Sequence, residues 1–254
     1  PVMGYAEVTL DGSVGALVIS GDAVAGGNGF TYNITSDLGQ QAGSNLFHSF
    51  DKFNIGLGET ANFSGPTDIS HVISRVTGGQ SSIAGKVSSS IAGASLWLVN
   101  PAGVIFTNGA SVDVDGTFHL STADFVEFSD GARYFSNLSA TSTLSTGQIN
   151  SFGFLAESHG TITIDSARST PGQNDAGNVA SVGHNLNVNS ESISIQNADL
   201  HAKEIIVRTG DATFGDVNVG SSLLETVSGG IFFQGGKVYS VDSVIVASGQ
   251  NSGV

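Results

Sequence analysis

The stretch that decides the fold is residues 185–207, Asn-Leu-Asn-Val-Asn-Ser-Glu-Ser-Ile-Ser-Ile-Gln-Asn-Ala-Asp-Leu-His-Ala-Lys-Glu-Ile-Ile-Val. Apolar and polar residues alternate around Leu186 and Val188, which is typical of a short, half-buried β-strand. The same pair returns about 19 residues later as Ile205 and Val207. Imperfect repeats with a period near 20 residues favour a parallel β-helix, in which each coil of the chain stacks on the coil before it.

Short alternating runs rich in β-branched and aromatic residues continue along the chain, and the pair Ile193/Ile195 has a predicted counterpart about 20 residues later at Thr213/Phe214. Asn-Gly and Asp-Gly pairs, such as Asp130-Gly131, are hairpin signals that leave a β-sandwich as the alternative. The repeat spacing of about 20 residues favours the parallel β-helix over the β-sandwich. We therefore predict an all-β chain that forms a right-handed, single-stranded parallel β-helix of about ten to twelve coils, with an N-terminal capping region and short extra-helical hairpins.

Composition excludes several classes of protein. The chain has 254 residues, of which 8 are Lys or Arg and 22 are Asp or Glu, so its formal net charge is −14. Nucleic-acid-binding proteins need basic surfaces, so no nucleic-acid partner is predicted. There is no Cys for disulfides or thiolate metal sites. No apolar run approaches the ~18 residues of a membrane-spanning helix.

No shift in composition marks a domain boundary, so one domain is predicted over residues 1–254, with about 1–34 as the N-terminal cap and about 35–254 as the coils. The cap would cover the open strand edge of the first coil, and Tyr5–Leu10, Ala16–Ile19 and Phe30–Ile34 are its candidate segments. Two polar stretches, Asn137–Gly147 and Ser169–Gly177, interrupt the pattern as loops. An acidic, capped rod is predicted to be a monomer. Because the chain begins with Pro1, it is interpreted as part of a longer protein.

Several short motifs follow one another in an order that is specific only as a combination. They are Phe47–Phe50 (Phe-His-Ser-Phe), Phe53–Gly56 (Phe-Asn-Ile-Gly), Ala61–Phe63, Ile73–Gly79 (Ile-Ser-Arg-Val-Thr-Gly-Gly), Ser82–Gly85, Leu96–Phe106, Ser121–Asp124 and Phe152–Leu155. Together they resemble the two-partner secretion domain, which is the haemagglutination-activity domain of filamentous-haemagglutinin-like exoproteins of Gram-negative bacteria. The resemblance extends from about Glu7 to about Ile164, and the remainder matches the coil repeats of that family.

The resemblance implies an N-terminal secretion domain that the periplasmic, POTRA-type domains of a partner outer-membrane transporter recognise. The chain would then fold outside the cell, where it would be secreted or remain at the surface, and the full exoprotein would contact a host-cell or biofilm surface. One family motif associated with recognition matches Asn100-Pro101-Ala102-Gly103-Val104, with Ala102 in place of an Asn. The other motif would fall at Ser64-Gly65-Pro66-Thr67, where it is degraded, as in the subgroup of large exoproteins that lacks it.

Residues 100–103 also have an explanation that needs no partner. Asn at the first, Pro at the second and Gly at the fourth position are favoured in a type I turn. The sequence therefore leaves two interpretations open: a structural turn, or a turn that contacts the transporter. If Asn100 contacts the transporter, Asn100→Ala is expected to lower export and leave the fold intact. Trp97, just before this turn, is predicted in the core or as a cap over one end of the helix.

Catalysis is a possible function, because β-helices also carry polysaccharide lyases and hydrolases, and fold alone does not decide function. Asp113 and Asp115 would share one outward strand face, but two solvated charges before a turn are the simpler interpretation. The 6 His residues lack zinc-site spacing, and His48 is interpreted as a hydrogen-bonded core or corner residue. No enzyme, metal or cofactor is predicted. A carbohydrate-active β-helix enzyme and a glycan-binding adhesin fragment are the alternatives.

Overall fold

The computed structural model describes residues 7–15, 20–23, 29–107, 109–155, 159–165, 178–182, 185–190, 193–196, 198–202, 204–209, 217–220, 223–226, 231–234, 238–241 and 244–247. Within these ranges the chain is almost entirely β-strand, with one 3-10 turn at Ser36–Leu38. Over the same ranges, no helix has the length and hydropathy to span a bilayer.

The strands are short and are numbered in chain order. They are β1 (Val8–Leu10), β2 (Ser20–Ala23), β3 (Phe30–Ile34), β4 (Gln40–Ala42), β5 (Asn45–Phe53), β6 (Thr60–Phe63), β7 (His71–Val76), β8 (Ser81–Ile83), β9 (Lys86–Ser89), β10 (Ser95–Val99), β11 (Val104–Phe106), β12 (Ser111–Val114), β13 (Phe118–Ser121), β14 (Phe125–Phe128), β15 (Arg133–Phe135), β16 (Ile149–Gly153), β17 (Ile162–Asp165), β18 (Asn178–Val182), β19 (Asn185–Ser190), β20 (Ile193–Gln196), β21 (Asp199–Ala202), β22 (Glu204–Thr209), β23 (Val217–Gly220), β24 (Leu223–Thr226), β25 (Ile231–Gln234), β26 (Val238–Val241) and β27 (Val244–Ala247).

Three long sheets form the walls of the β-helix, and successive strands of the chain join the three sheets in turn. Sheet A has the order β1-β5-β7-β10-β13-β19-β22-β25, with β4 added beside β5; sheet B has the order β2-β3-β6-β9-β12-β18-β21-β24-β27; and sheet C has the order β8-β11-β17-β20-β23-β26. Each coil therefore runs from sheet A to C to B before it returns to A. Because the pairs between successive coils are parallel, the predicted all-β parallel β-helix is confirmed. Its right-handed winding stays a prediction.

Alternation places one row of side chains inside each wall. In sheet A, Leu96 lies in register with Val72 on one side and with Phe118 on the other. Leu186 and Ile205 continue this row, and all five side chains are almost fully buried. Each fully buried aliphatic or aromatic side chain of this kind contributes about 1.5–3 kcal/mol through removal of apolar surface from water. Stacking of like residues in successive coils is thus the main source of stability.

At the N-terminal end the pairing changes direction. β1 is antiparallel to β5, and β2 is antiparallel to β3. β3, one of the candidate cap segments, pairs in parallel with β6 and so belongs to the wall of the helix. Ala16–Ile19, another candidate, lies outside the described residues. That residues 1–34 act as a cap stays a prediction.

Between β13 and β17 the chain leaves the helix. We call residues 122–161 the excursion; it contains a separate antiparallel sheet with the order β15-β14-β16. This sheet consists of an extra-helical hairpin, β14 and β15, and one added strand, β16. The polar stretch 137–147 lies in the connection from β15 to β16. The loop predicted at 169–177 lies outside the described residues.

Two details of the sequence-based repeat were wrong. Ile193 and Ile195 pair with Val217 and Val219 of β23, not with Thr213 and Phe214. Over the described residues, the strand orders give about eight coils, fewer than the ten to twelve predicted. Both errors have one cause: the connections between sheets vary in length from coil to coil, and the excursion alone takes up the length of more than one coil.

Candidate functional site

The motif residues 100–104 form a tight turn that takes the chain from β10 in sheet A to β11 in sheet C. The Gly103 N–H donates to the Asn100 carbonyl at 2.9 Å, and the Ala102 N–H donates to Asn100 Oδ1 at 3.0 Å. Gly103 has φ +100°, a left-handed conformation that favours glycine. The Asn-Pro-x-Gly sequence therefore folds as its local preferences dictate.

Asn100 is fully buried and connects three coils. Its Nδ2 donates to the Gly79 carbonyl at 2.8 Å and to Ser81 Oγ at 3.0 Å, both in the preceding coil. Its backbone N–H donates to the Ser121 carbonyl at 2.9 Å, in the following coil. Together with the two bonds inside the turn, these contacts use both amide donors, the side-chain oxygen, the backbone N–H and the backbone carbonyl. In the folded protein, the polar groups of Asn100 are thus occupied by its own chain.

The backbone of the turn is also joined to the end of the excursion. The Gly160 N–H donates to the Pro101 carbonyl at 2.7 Å, and the Val104 N–H donates to the Thr161 carbonyl at 3.2 Å. A Cβ added to Gly103 would lie 2.7 Å from the Thr161 oxygen. Glycine at position 103 is therefore required both by φ and by the close approach of the next coil.

We expect Gly103→Ala to lower the free energy of unfolding by about 2–4 kcal/mol, because it adds a backbone clash to the cost of a positive φ. Gly93→Ala is the matched control, since Gly93 has φ +71° but an added Cβ would meet nothing within 4 Å. That control should lose only about 1 kcal/mol. Chemical denaturation of both variants measures the difference, and equal losses would contradict the close approach.

Only the middle of the turn faces outward. Pro101 is half-buried and Ala102 is exposed. Beside them lies a cleft of about 380 Å³ between the helix and the excursion, with Leu138 on its far wall. Asp124, also on the cleft, accepts a hydrogen bond from the Leu155 N–H and pairs with His159 Nε2 at 2.9 Å. Outward contacts of the folded motif are therefore restricted to Pro101, Ala102 and the neighbouring excursion.

The degraded motif lies at a different corner, so the structure does not bring the two together. Ser64, Gly65, Pro66 and Thr67 connect β6 of sheet B to β7 of sheet A. The Ser64 N–H donates to the Ile34 carbonyl at 2.9 Å, whereas the other three residues are exposed. The Ser64 hydrogen bond attaches this corner to the end of β3.

The prediction that Trp97 lies in a core is confirmed. Its side chain points out of sheet A, so this core is the apolar cluster between the outer face of sheet A and the excursion. Its ring stacks on His119 with centroids 3.4 Å apart and contacts Phe152 at 5.3 Å. Asp130-Gly131 was the available signal for this outer layer, because it is the hairpin turn between β14 and β15.

The centre of the outer layer is Arg75, which sequence analysis did not assign to any site. Arg75 is 4% exposed, and its guanidinium lies 4.3 Å from the centre of the Tyr134 ring. Its Nε donates to Ser49 Oγ at 2.6 Å, and Ser49 Oγ donates to Asp11 Oδ2 at 2.6 Å. Burial by itself would raise the pKa of Asp11, but hydrogen bonds from Ser13, Ser49 and Thr77 together lower it. The carboxylate is thus held ionised near a buried cation.

The candidate catalytic carboxylates Asp113 and Asp115 lie on the outer face of sheet B. Asp113 is exposed and pairs with Lys86 at 2.6 Å, and Asp115 is exposed beyond the end of β12. Among the described residues, no three His, Asp or Glu side chains converge as metal ligands. The prediction for His48 as a buried, hydrogen-bonded core residue is confirmed, since its Nε2 lies 3.2 Å from the Thr35 carbonyl.

Comparison with known proteins gives two matches. The model of the TPS secretion domain family matches residues 7–228. The chain is also 29% identical over 185 residues to the heme/hemopexin-binding protein of Haemophilus influenzae strain Rd. This alignment covers 68% of the chain and 20% of the relative. The chain therefore spans about a fifth of the length of the curated relative it matches.

Proposed function

This chain belongs to the TPS secretion domain family, and on that premise we propose that it is the N-terminal secretion domain of a large exoprotein and that a cognate outer-membrane transporter recognises it. The observation that carries the proposal is the family match over residues 7–228, which includes both motif corners and most of the coils. The transporter would bind the chain through periplasmic, POTRA-type domains. The folded domain would then stand outside the outer membrane of a Gram-negative bacterium, as a monomer.

The hydrogen bonds of Asn100 support different roles for this residue before and after the domain folds. Before folding, the side chains of Asn100, Pro101 and Ala102 are all available to the transporter. After folding, Asn100 is buried and its polar groups bind Gly79, Ser81 and Ser121. Recognition of Asn100 therefore belongs to the unfolded chain in the periplasm, and formation of the turn outside the cell removes it from the transporter.

The parallel coils support folding as the chain emerges. Each new coil pairs with the coil before it, as β11 pairs with β8 and β10 pairs with β7, so the core grows without distant contacts. The first coils would nucleate this growth at the cell surface. The remainder of the exoprotein would carry the contact with a host-cell or biofilm surface.

We expect export of this chain from a Gram-negative host to depend on co-expression of its transporter. Ala102→Glu should lower that export several-fold, because it places a charge in the exposed centre of the motif. Ala92→Glu is the matched control, since Ala92 is an exposed alanine at another corner. Both purified variants should keep the wild-type unfolding free energy to within about 0.5 kcal/mol.

The amount of protein in the medium, measured with and without the transporter, separates the two parts of the proposal. Transporter-independent release, or retention in both strains, would contradict the secretion function. Equal export of Ala102→Glu and Ala92→Glu would contradict recognition of the motif and leave the secretion function standing.

A further inference from the structure

The excursion occupies a corner that the helix can close with a very short turn. In the preceding coil, Asn100–Gly103 alone connects β10 to β11. Val99 lies in register with Ser121, and Val104 lies in register with Ile162. Residues 122–161 therefore start and end at the positions where the preceding coil needs only its tight turn. The path of the helix does not require the excursion.

The excursion covers an apolar strip on the outside of sheet A. Phe47, Ile73 and Trp97 lie side by side in register and point away from the helix interior. Phe47 meets the rings of Phe128 and Tyr134 of the excursion, with centroids 5.8 Å and 5.0 Å apart. Without the excursion, this strip would be exposed apolar surface of the kind that soluble monomers avoid.

The same excursion is tied to the start of the described chain through Arg75. The Arg75 Nη2 donates to Ser13 Oγ at 2.8 Å, in the N-terminal segment, residues 7–15. The Arg75 Nη1 donates to Ser142 Oγ at 2.9 Å and to the Phe135 carbonyl, both in the excursion. One guanidinium therefore holds two segments that are far apart in sequence against sheet A.

A second set of contacts surrounds this junction. The Tyr134 hydroxyl donates to the His48 carbonyl at 2.8 Å, and Val14 packs into the same apolar cluster as Tyr134. On the other side, Asn45 Nδ2 donates to the Ser145 and Gly147 carbonyls, each at 2.9 Å. The excursion thus contacts β5 at two places and shares its apolar cluster with the N-terminal segment.

We propose that the excursion is a clasp that fastens the N-terminal segment to sheet A, with Arg75 as the positioning residue that couples the two. A charge as buried as that of Arg75 is costly unless its donors are satisfied, so loss of one set of partners weakens the hold on the other. The clasp closes only when residues 133–142 are present. Until then, the N-terminal segment is attached by the pairing of β1 with β5 and by the hydrogen bonds of Asp11, without the contacts that the excursion adds around Arg75 and Val14.

The test replaces residues 122–161 with Asn-Pro-Ala-Gly, which copies the preceding corner, and follows hydrogen exchange of the backbone amides. We expect β20 and β22 to keep their protection, and the amides of residues 8–14 to lose protection by at least tenfold. Full protection of residues 8–14 in this variant would overturn the proposal.

Arg75→Met, in the otherwise complete chain, provides a second test that leaves the path of the chain unchanged. It should lower protection at Val8–Leu10 and at Arg133–Phe135 together, by at least tenfold at each. The control is Arg133→Met, because Arg133 is exposed and pairs only within the excursion hairpin, with Glu127 at 2.7 Å. Loss of protection confined to one of the two segments in Arg75→Met would overturn the coupling.

Discussion

Asn100→Ala should lower the free energy of unfolding of the purified domain by about 3–5 kcal/mol. The substitution removes three side-chain hydrogen bonds at a fully buried position, and it leaves the buried Ser81 hydroxyl without this partner. A buried polar group left unsatisfied costs about 1–3 kcal/mol. Urea or guanidinium unfolding at neutral pH measures the loss.

The matched control is Asn54→Ala, which removes another asparagine that bonds between coils. Asn54 Oδ1 accepts from the Ser82 N–H at 2.9 Å, at a site that solvent reaches. Its removal should cost about 1 kcal/mol or less, because water replaces the lost bond. Equal losses in the two variants would contradict the role of Asn100 as a junction of three coils. The expected instability also means that reduced export of Asn100→Ala cannot be assigned to recognition, which is why Ala102 is the residue to change.

The domain should lose about 4 kcal/mol of unfolding free energy between pH 7.5 and pH 5. Burial lowers the pKa of His48 to about 4 and, with a smaller effect of the nearby His71, lowers the pKa of His119 to about 3. Burial also lowers the pKa of His71. All three side chains are thus held neutral by the fold.

The sign of the effect follows from proton binding. In the unfolded chain, histidine binds a proton below a pKa of about 6.5, whereas folded His48 and His119 stay neutral down to about 4 and 3. Stability from these groups is complete above about pH 6.5 and is lost as the pH falls towards the folded values, at about 1.4 kcal/mol per pH unit for each group.

Denaturant unfolding of wild type and of the double variant His48→Gln/His119→Gln at pH 7.5, 6 and 5 tests this prediction. We expect the double variant to be less stable than the wild type at pH 7.5, and its unfolding free energy to depend much less on pH. A slope as steep as that of the wild type would show that other groups control the acid response.

The sequence determined the class of fold because every coil of the helix must place apolar side chains in the interior, in register with those of its neighbours. Leu186 with Ile205 and Val188 with Val207, paired from their spacing alone, are in register in the structure. Alternation is a local property, and stacking copies it from coil to coil. The turn chemistry of Asn100–Gly103 is local in the same way.

Only the tertiary structure decided how long each coil is and what covers its outside. Ile193 pairs with Val217 because connections between sheets vary in length without disturbing the core, so no fixed period predicts them. Trp97 and Arg75 each have some of their partners in the excursion, tens of residues further along the chain. Contacts across such separations depend on where the excursion folds back. Strand alternation and turn residues are local features of the sequence, so they do not predict where the excursion packs against sheet A.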